Sequence, residues 1–236
     1  KHNGPLIGAK GNNKPLPKAI VEYNNKHDLE IDTYASAEAQ VASLADDIAY
    51  NNHDIDDGLR AGLFAIDDLK DVPLVGPVFS EVQKSYPDID TSRMIHEAVR
   101  RLIGMMVEDL LRETQRRIAD ANPKTMSDVQ NLSAPIASFS EKMSAHDRDL
   151  KKFLFENMYR HYKLNRMTSK ARRVVRDLFQ LLVSEPECLP TEWRALTGKP
   201  NTAPTAQIVA DYVAGMTDRY ALDEHRRLFD VQARTS

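Results

Sequence analysis

The sequence predicts an all-α protein, and three observations carry that expectation. Apolar residues recur at three- and four-residue spacing through most of the chain, as in Ile95, Val99, Leu102, Ile103, Met106, Leu110 and Leu111. No alternating strand pattern runs longer than a few residues. Capping residues stand ahead of the periodic stretches, and prolines such as Pro123 and Pro186 close several of them.

At 236 residues the chain can bury a substantial core, with one or two domains expected. The formal charge of −3 is close to balance, which argues against a protein that coats nucleic acid generally. The one cysteine, Cys188, excludes an intramolecular disulfide and fits a reducing, cytoplasmic location. No apolar run approaches the ~20 residues that span a bilayer, and no signal-peptide pattern is present. A membrane partner is therefore not expected.

Taken in order, Lys1 to Leu16 has the composition of a loop, and Pro17 suits the first turn of a short helix through Tyr23. Ser36 is an N-cap for the next helix. Along that helix Val41, Leu44, Ile48, Ile55 and Leu59 form a narrow stripe, flanked by Ala39, Ala42, Ala45 and Ala49 where neighbouring backbones can approach. Gly58 and Gly62 each weaken its end by about 1 kcal/mol relative to Ala, and mark close packing or a break before Ile66–Leu69. Pro73 and Pro77 punctuate the way to a helix near Val78–Ser85.

Thr91 reads as the cap of the longest helix, which runs to about Ala121. Its arginines Arg100, Arg101, Arg112, Arg116 and Arg117 lie mostly off the apolar face, as solvated surface or as an oligomer contact. Ser127 caps a short turn, and residues 134–139 read as an extended connector. Ser140 opens a helix through about Tyr162, with Leu150, Phe153, Leu154 and Met158 facing the core. Thr168 or Ser169 starts another, Lys170–Ser184, with Val174, Val175, Leu178, Leu181 and Leu182 as its core residues. Thr202 to Pro204 introduces a helix with Ile208, Val209, Tyr212 and Val213, followed by Tyr220–Phe229.

The chemistry concentrates on the helix that Ser36 caps. Asp46, Tyr50 and Asp54 follow one another at i, i+4 and i+8, and Asp57 continues the row, so these groups share one face. Between Lys26 and Arg60 there is no Lys or Arg, while Asp28, Asp32, Asp46, Asp47, Asp54 and Asp56 are among the carboxylates there. Like charges at helical spacing repel by roughly 0.2–0.5 kcal/mol per pair. A metal ion or an external cation would relieve that repulsion. A solvated acidic face is the other reading, and spacing leaves both open.

The stretch Glu38-Ala-Gln-Val-Ala-Ser-Leu-Ala-Asp-Asp-Ile-Ala-Tyr-Asn-Asn-His-Asp-Ile-Asp-Asp-Gly-Leu-Arg-Ala-Gly62 resembles the last HD-domain motif of bacterial deoxyguanosinetriphosphate triphosphohydrolase-like proteins. Lys1–Leu6 and Val213–Phe229 are similar to that family as well, so the likeness runs nearly end to end. The resemblance implies an HD-domain-like helical fold. Residues 1–72 would be the C-terminal part of the phosphohydrolase core, and residues 73–236 a helical C-terminal region packed on it. It also implies that the chain is the C-terminal portion of a longer enzyme whose preceding part holds a metal-binding His and a His-Asp doublet.

By the same resemblance a divalent metal (Mg, Mn, Fe or similar) is expected, with Asp46 as one ligand. Asp47, its competitor, points about 100° away on a helix. Tyr50 would pack under the sugar, and Asp54 would accept from the 3′-hydroxyl, as in the vertebrate relative with SAM and HD domains. A Lys follows the metal Asp in that relative where Asp47 stands here, a departure that bears on any phosphate contact from this position. Lys151 or Lys152 would meet the triphosphate, and Tyr159 would line the sugar or base pocket. An amphipathic core helix with a lysine rim is the alternative for those three.

His27-Asp28, His53-Asp54 and His146-Asp147 read as decoys, the last as helix surface among Lys142, Arg148, Lys151 and Lys152. Arg160, His161, Arg166, Lys170, Arg172 and Arg173 form a basic cluster: solvated surface, or the seat of an anionic effector such as a nucleotide or single-stranded DNA. The expected activity is metal-dependent hydrolysis of dNTPs, dGTP-like, to deoxynucleoside and triphosphate. It belongs to the full-length, homo-oligomeric parent, with this stretch inactive alone. The alternatives are an HD phosphohydrolase acting on another nucleotide and a non-catalytic helical assembly module.

Overall fold

Pro17 starts the first helix, α1 (Lys18–Asn24), and Ser36 starts the second, α2 (Ala37–Arg60), by accepting a hydrogen bond from the Ala39 amide. The computed structural model describes residues 4–8 and 15–233; among them there is no strand, and the fold is all-α. Of the opening loop, residues 1–3 and 9–14 lie outside the described residues, including the first part of the Lys1–Leu6 motif. The Leu6 amide donates to the Ile31 carbonyl at 2.7 Å, which ties the described part of that loop to the segment before α2.

A 3-10 turn at Ile66–Leu69 leads to α3 (Val75–Ser85), which begins one turn earlier than the prolines suggest because Pro77 falls inside the first turn, where a missing amide costs nothing. The long α4 (Thr91–Ala121) is capped by Asp90, whose carboxylate accepts from the Arg93 amide, so Thr91 is its first residue and not its cap. Asn122 ends it in the left-handed conformation at φ 47°. Thr125, rather than Ser127, caps α5 (Met126–Gln130). Ser140 caps α6 (Glu141–Leu154), which gives way to a π-helical turn over Phe155–Tyr159 instead of running on to Tyr162.

Contacts divide the chain into two compact units, Lys1–Tyr159 and Arg160–Ser236. In the first unit α2 packs on α4 and α6, and α3 packs on α4. Ile48 and Ile55 from α2 meet Val78, Phe79 and Val82 from α3, Ile95, Leu102, Met106 and Leu110 from α4, and Leu150 and Leu154 from α6. Leu44 and Leu59 lie partly buried against this core. Val41 is exposed, as are Ala39, Ala42 and Ala45, so the stripe and its alanine flank are only partly used within the chain. Leu111 is exposed too, because α4 turns that side away from its neighbours.

The second unit is built on α7 (Tyr162–Ser184), which starts at Tyr162 and not near Thr168 because the His161 side chain accepts from the Lys163 amide. A 3-10 turn at Pro186–Cys188, the short α8 (Thr191–Arg194), α9 (Ala203–Ala214) and α10 (Asp218–Phe229) follow. Leu182, Leu189, Val209 and Tyr212 are its buried core, with Trp193 against the Tyr212 ring at 5.3 Å. Val175, expected in this core, is exposed.

Two glycines near the end of α2 have distinct reasons. A Cβ at Gly58 would lie 2.2 Å from the Phe64 ring, which in turn meets Phe153 edge-on at 5.1 Å. Gly62 takes φ 61°, turning the chain back so that Phe64 can reach that position. Gly58→Ala is expected to lower stability in a urea melt: overpacking costs about 1–3 kcal/mol, which exceeds the propensity gain of at most about 1 kcal/mol. A variant as stable as the wild type would show that Phe64 does not need this close approach.

Candidate functional site on the acidic helix

The helical period fixes which side of α2 each acid occupies. Ile48, Asn51, Asn52 and Ile55 are buried, and Asp46 and Tyr50 stand exposed on the other side, Tyr50 at 64%. Asp54, two turns beyond Asp46 and about 12 Å along the axis, is half-buried. Asp46, Tyr50 and Asp54 thus do form one outward row, anchored by an inward face that is packed.

Asp47 and Asn51 point between these faces, toward α6. Asp147, buried on α6, accepts from the Asn51 side-chain amide at 2.7 Å and from the Lys151 ammonium at 2.9 Å. The same ammonium lies 3.5 Å from the Asp47 carboxylate. Two i, i+4 pairs, Asp47/Asn51 on α2 and Asp147/Lys151 on α6, therefore lock across the helix interface. Burial works to lower the Lys151 pKa, but the hydrogen bond and charge of Asp147, then Asp47, outweigh it and raise the value. Lys151 is a cation already shared by two carboxylates.

The π-turn after α6 brings a third contact. It carries the Tyr159 phenol to Asp54, where the hydroxyl donates to Oδ2. Tyr159 is pushed up to about 12, first by that hydrogen bond, then by burial and by the carboxylate's charge. The phenol is accordingly a fixed donor at neutral pH. Lys152 is exposed and joins neither group.

The connector at 134–139 closes one end of this arrangement. Gln40, buried on the first turn of α2, accepts from the Ile136 and Ala137 amides at 2.8 and 3.2 Å and donates to the Ala35 carbonyl at 2.8 Å. Ser140 is held by Asp109 through its amide at 2.9 Å and its hydroxyl at 2.7 Å. Between α2, the connector and α6 lies a cavity of about 260 Å³, lined by Gln40, Leu44, Asp47, Phe139, Asp147 and Arg148 among others.

The structure brings Asp47 to Lys151 and Asp54 to Tyr159, and leaves Asp46 and Tyr50 facing outward. It also corrects one expectation: Asp147 is not helix surface but buried, and its neighbour His146 is half-buried. Gln40 and Asn51 escaped the sequence reading, and Asp147 was assigned to the surface. The i, i+4 spacing of Asn51 to Asp47 and of Asp147 to Lys151 was the available signal. Among the described residues no three His, Cys, Asp or Glu side chains gather as a metal cluster.

Residues 137–227 match the family described as phosphohydrolase-associated domain. Over 231 residues the chain is 57% identical to the deoxyguanosinetriphosphate triphosphohydrolase-like protein of Parvibaculum lavamentivorans, covering 98% of this chain and 58% of that protein. Identity to the proteins of the same name from Caulobacter vibrioides and Azorhizobium caulinodans is 51% over 232 residues and 50% over 238 residues. Each match covers 98% of this chain, and 58% and 59% of those proteins. The chain thus spans somewhat under two thirds of these relatives, and the resemblance carried by Glu38–Gly62 extends over almost all of it.

The Tyr159–Asp54 bond has a pH signature. A phenol of about 12 when folded and about 10 when unfolded adds stability below pH ~10 that is lost as pH rises through ~12. The stability gap between wild type and Tyr159→Phe, followed by chemical denaturation, should stay level to pH ~10 and close toward ~12. A gap that stays level throughout would mean the phenol proton is not what the hydroxyl contributes.

Proposed function

We propose that this chain supplies part of a metal-dependent triphosphohydrolase of the HD superfamily that acts on dNTPs, dGTP-like, in the cytoplasm. Water attacks the α-phosphorus, the bond between that phosphorus and the sugar 5′-oxygen breaks, the 5′-oxygen takes up a proton and leaves as the deoxynucleoside, and the water oxygen stays on the inorganic triphosphate. The observation that carries this is the outward row Asp46, Tyr50, Asp54 on α2, set on a helix whose inward side is buried at Ile48, Asn51, Asn52 and Ile55. The names of the relatives support the same reaction class.

Asp46 fits a divalent ion as one hard oxygen ligand on a rigid helix face. With no further cluster among the described residues, the remaining ligands would come from elsewhere in the longer protein, and the chain alone would be inactive. The ion, when bound, supplies charge to the phosphate oxygens and makes water a better nucleophile. Tyr50 offers an exposed ring for the sugar to pack on. Asp54 directs its Oδ2 to Tyr159, and a carboxylate has further acceptor positions for a ligand hydroxyl. Lys151, held by Asp147 and Asp47, sets the positive edge of the site. Val107, Leu111 and Ile118, exposed along one side of α4, support a homo-oligomer.

In the full-length protein Asp46→Ala should abolish metal binding, read by calorimetry, and hydrolysis, while circular dichroism is unchanged. Asp47→Ala should be milder, because it removes one of two partners of Lys151. Equal, unimpaired activity in both variants overturns the assignment. Asp54→Ala should cost roughly 1.5–3 kcal/mol, the range for a hydrogen bond to a charged group, or about ten- to hundred-fold in kcat/KM. It should also erase most of the preference for a 3′-hydroxyl over a 2′,3′-dideoxy substrate. Discrimination as strong as in wild type would remove Asp54 from sugar recognition.

A further inference from the structure

Among the described residues Asp147 is the one charged side chain that is buried. A buried ion pair is often no more stabilising than apolar residues of the same volume, so its presence calls for a second reason. The geometry around it supplies one. Oδ1 accepts from the Asn51 side-chain amide at 2.7 Å and Oδ2 from the Lys151 ammonium at 2.9 Å, so each oxygen has its own donor. Asn51 is itself buried, on α2. The Asp147 carboxylate is therefore fixed from the opposite helix. Through it the end of a long, flexible lysine side chain is fixed as well.

The other partner of that ammonium is held differently. Asp47 lies at 3.5 Å, and its side chain is 39% exposed where that of Asp147 is 12% exposed. Parting Lys151 from Asp147 would strand a charge out of water. Parting it from Asp47 only returns a carboxylate to solvent, and an exposed pair of this kind contributes little. An ammonium has three donors, and the Lys151 side chain is 45% exposed, so it is open to a ligand on the side where Asp47 stands. Asp47 also lines the cavity of about 260 Å³ between α2, the connector and α6, with Arg148 on the same wall. The Asp47 carboxylate has room to turn aside there, beside a second cation. Lys152, about 100° round the helix, joins neither carboxylate.

Lys151 thus has one permanent partner and one exchangeable partner. We propose that Asp147 and Asn51 are positioning residues for a polyphosphate: they hold the Lys151 ammonium at the edge of the acidic row, and an incoming phosphate oxygen takes the place of Asp47 on it. This rests on the reading of that row as a nucleoside triphosphate site. At rest Asp47 neutralises the lysine, and its charge opposes a phosphate until it gives way. The two carboxylates on one ammonium therefore act in opposite senses, Asp147 for binding and Asp47 against it. Two carboxylates that served only to join the helices would act in the same sense.

The test uses the full-length protein with two readouts, steady-state hydrolysis of dGTP and calorimetric binding of inorganic triphosphate, the second of which involves no bond cleavage. Asp147→Asn keeps the shape of the side chain and should raise KM and the triphosphate Kd about tenfold, with kcat changed far less. Asn51→Ala leaves the Asp147–Lys151 contact and should raise both by about threefold. Asp47→Asn should lower both, by about two- to fivefold. With Lys151→Gln already in place, none of the three should alter binding further, because each acts through the ammonium. Circular dichroism checks the fold, and if Asp147→Asn does not fold, Asn51→Ala against Asp47→Asn makes the same comparison. The proposal is overturned if wild type binds no inorganic triphosphate, if the Asp47 and Asp147 variants shift binding in the same direction, or if either shift persists without Lys151. A wild type that shows these shifts yet hydrolyses no dNTP would sink the assigned reaction and leave the positioning role standing. Hydrolysis with KM unmoved by all three variants would do the reverse.

Discussion

The placement of α6 against α2 depends on one buried carboxylate. Asp147 is taken out of water, and a buried charge survives only when it is paired and hydrogen-bonded. It finds an amide hydrogen from Asn51 on α2 and the ammonium of Lys151 one turn along its own helix. Because Lys151 also reaches Asp47, the two helices are joined at two levels one turn apart. Slipping α6 along α2 by a single residue would separate both, so the network specifies register as much as it adds stability.

That register decides the chemistry offered outward. With Asp47 and Asn51 committed to α6, and Ile48, Asn52 and Ile55 to the core, the face left over is the one bearing Asp46, Tyr50 and Asp54. The π-turn adds one more adjustment. An ordinary α-helical continuation of α6 would carry residue 159 to a different azimuth, and the extra residue in the turn swings the Tyr159 phenol onto Asp54. Phe153, one turn earlier, is held against Phe64, which occupies space that only a glycine at position 58 leaves open. A glycine in the last turns of α2 therefore helps seat the segment that completes the far end of the acidic row.

Charge management separates the two units. In the first unit arginine and carboxylate are matched within α4, and Lys151 is matched across helices. In the second unit α7 holds its cations from Lys163 to Arg176 with no ion pair among the described residues. A formal charge of −3 for the whole chain conceals both extremes. The overall balance says little about the local field that a ligand meets.

What the sequence determined by itself was periodic and local. Apolar spacing identified the helices, Ser36, Ser140 and Thr202 marked three starts, and the i, i+4, i+8 spacing put Asp46, Tyr50 and Asp54 on one face, because 3.6 residues per turn is a property of the backbone alone. Tertiary structure decided whatever depends on a neighbour distant in the chain. Periodicity could not tell that Ile48 would be covered and Val41 left bare. Asp147, among lysines and arginines, had the pattern of a surface residue, and its burial follows from an asparagine 96 positions away. The start of α7 rests on a histidine cap, a weaker signal than the Thr168-Ser169 pair that stands inside the helix. The π-turn left no sequence signal that we recognise, and with it went the pairing of Tyr159 with Asp54, a contact that exists only because the packed core fixes where α6 ends.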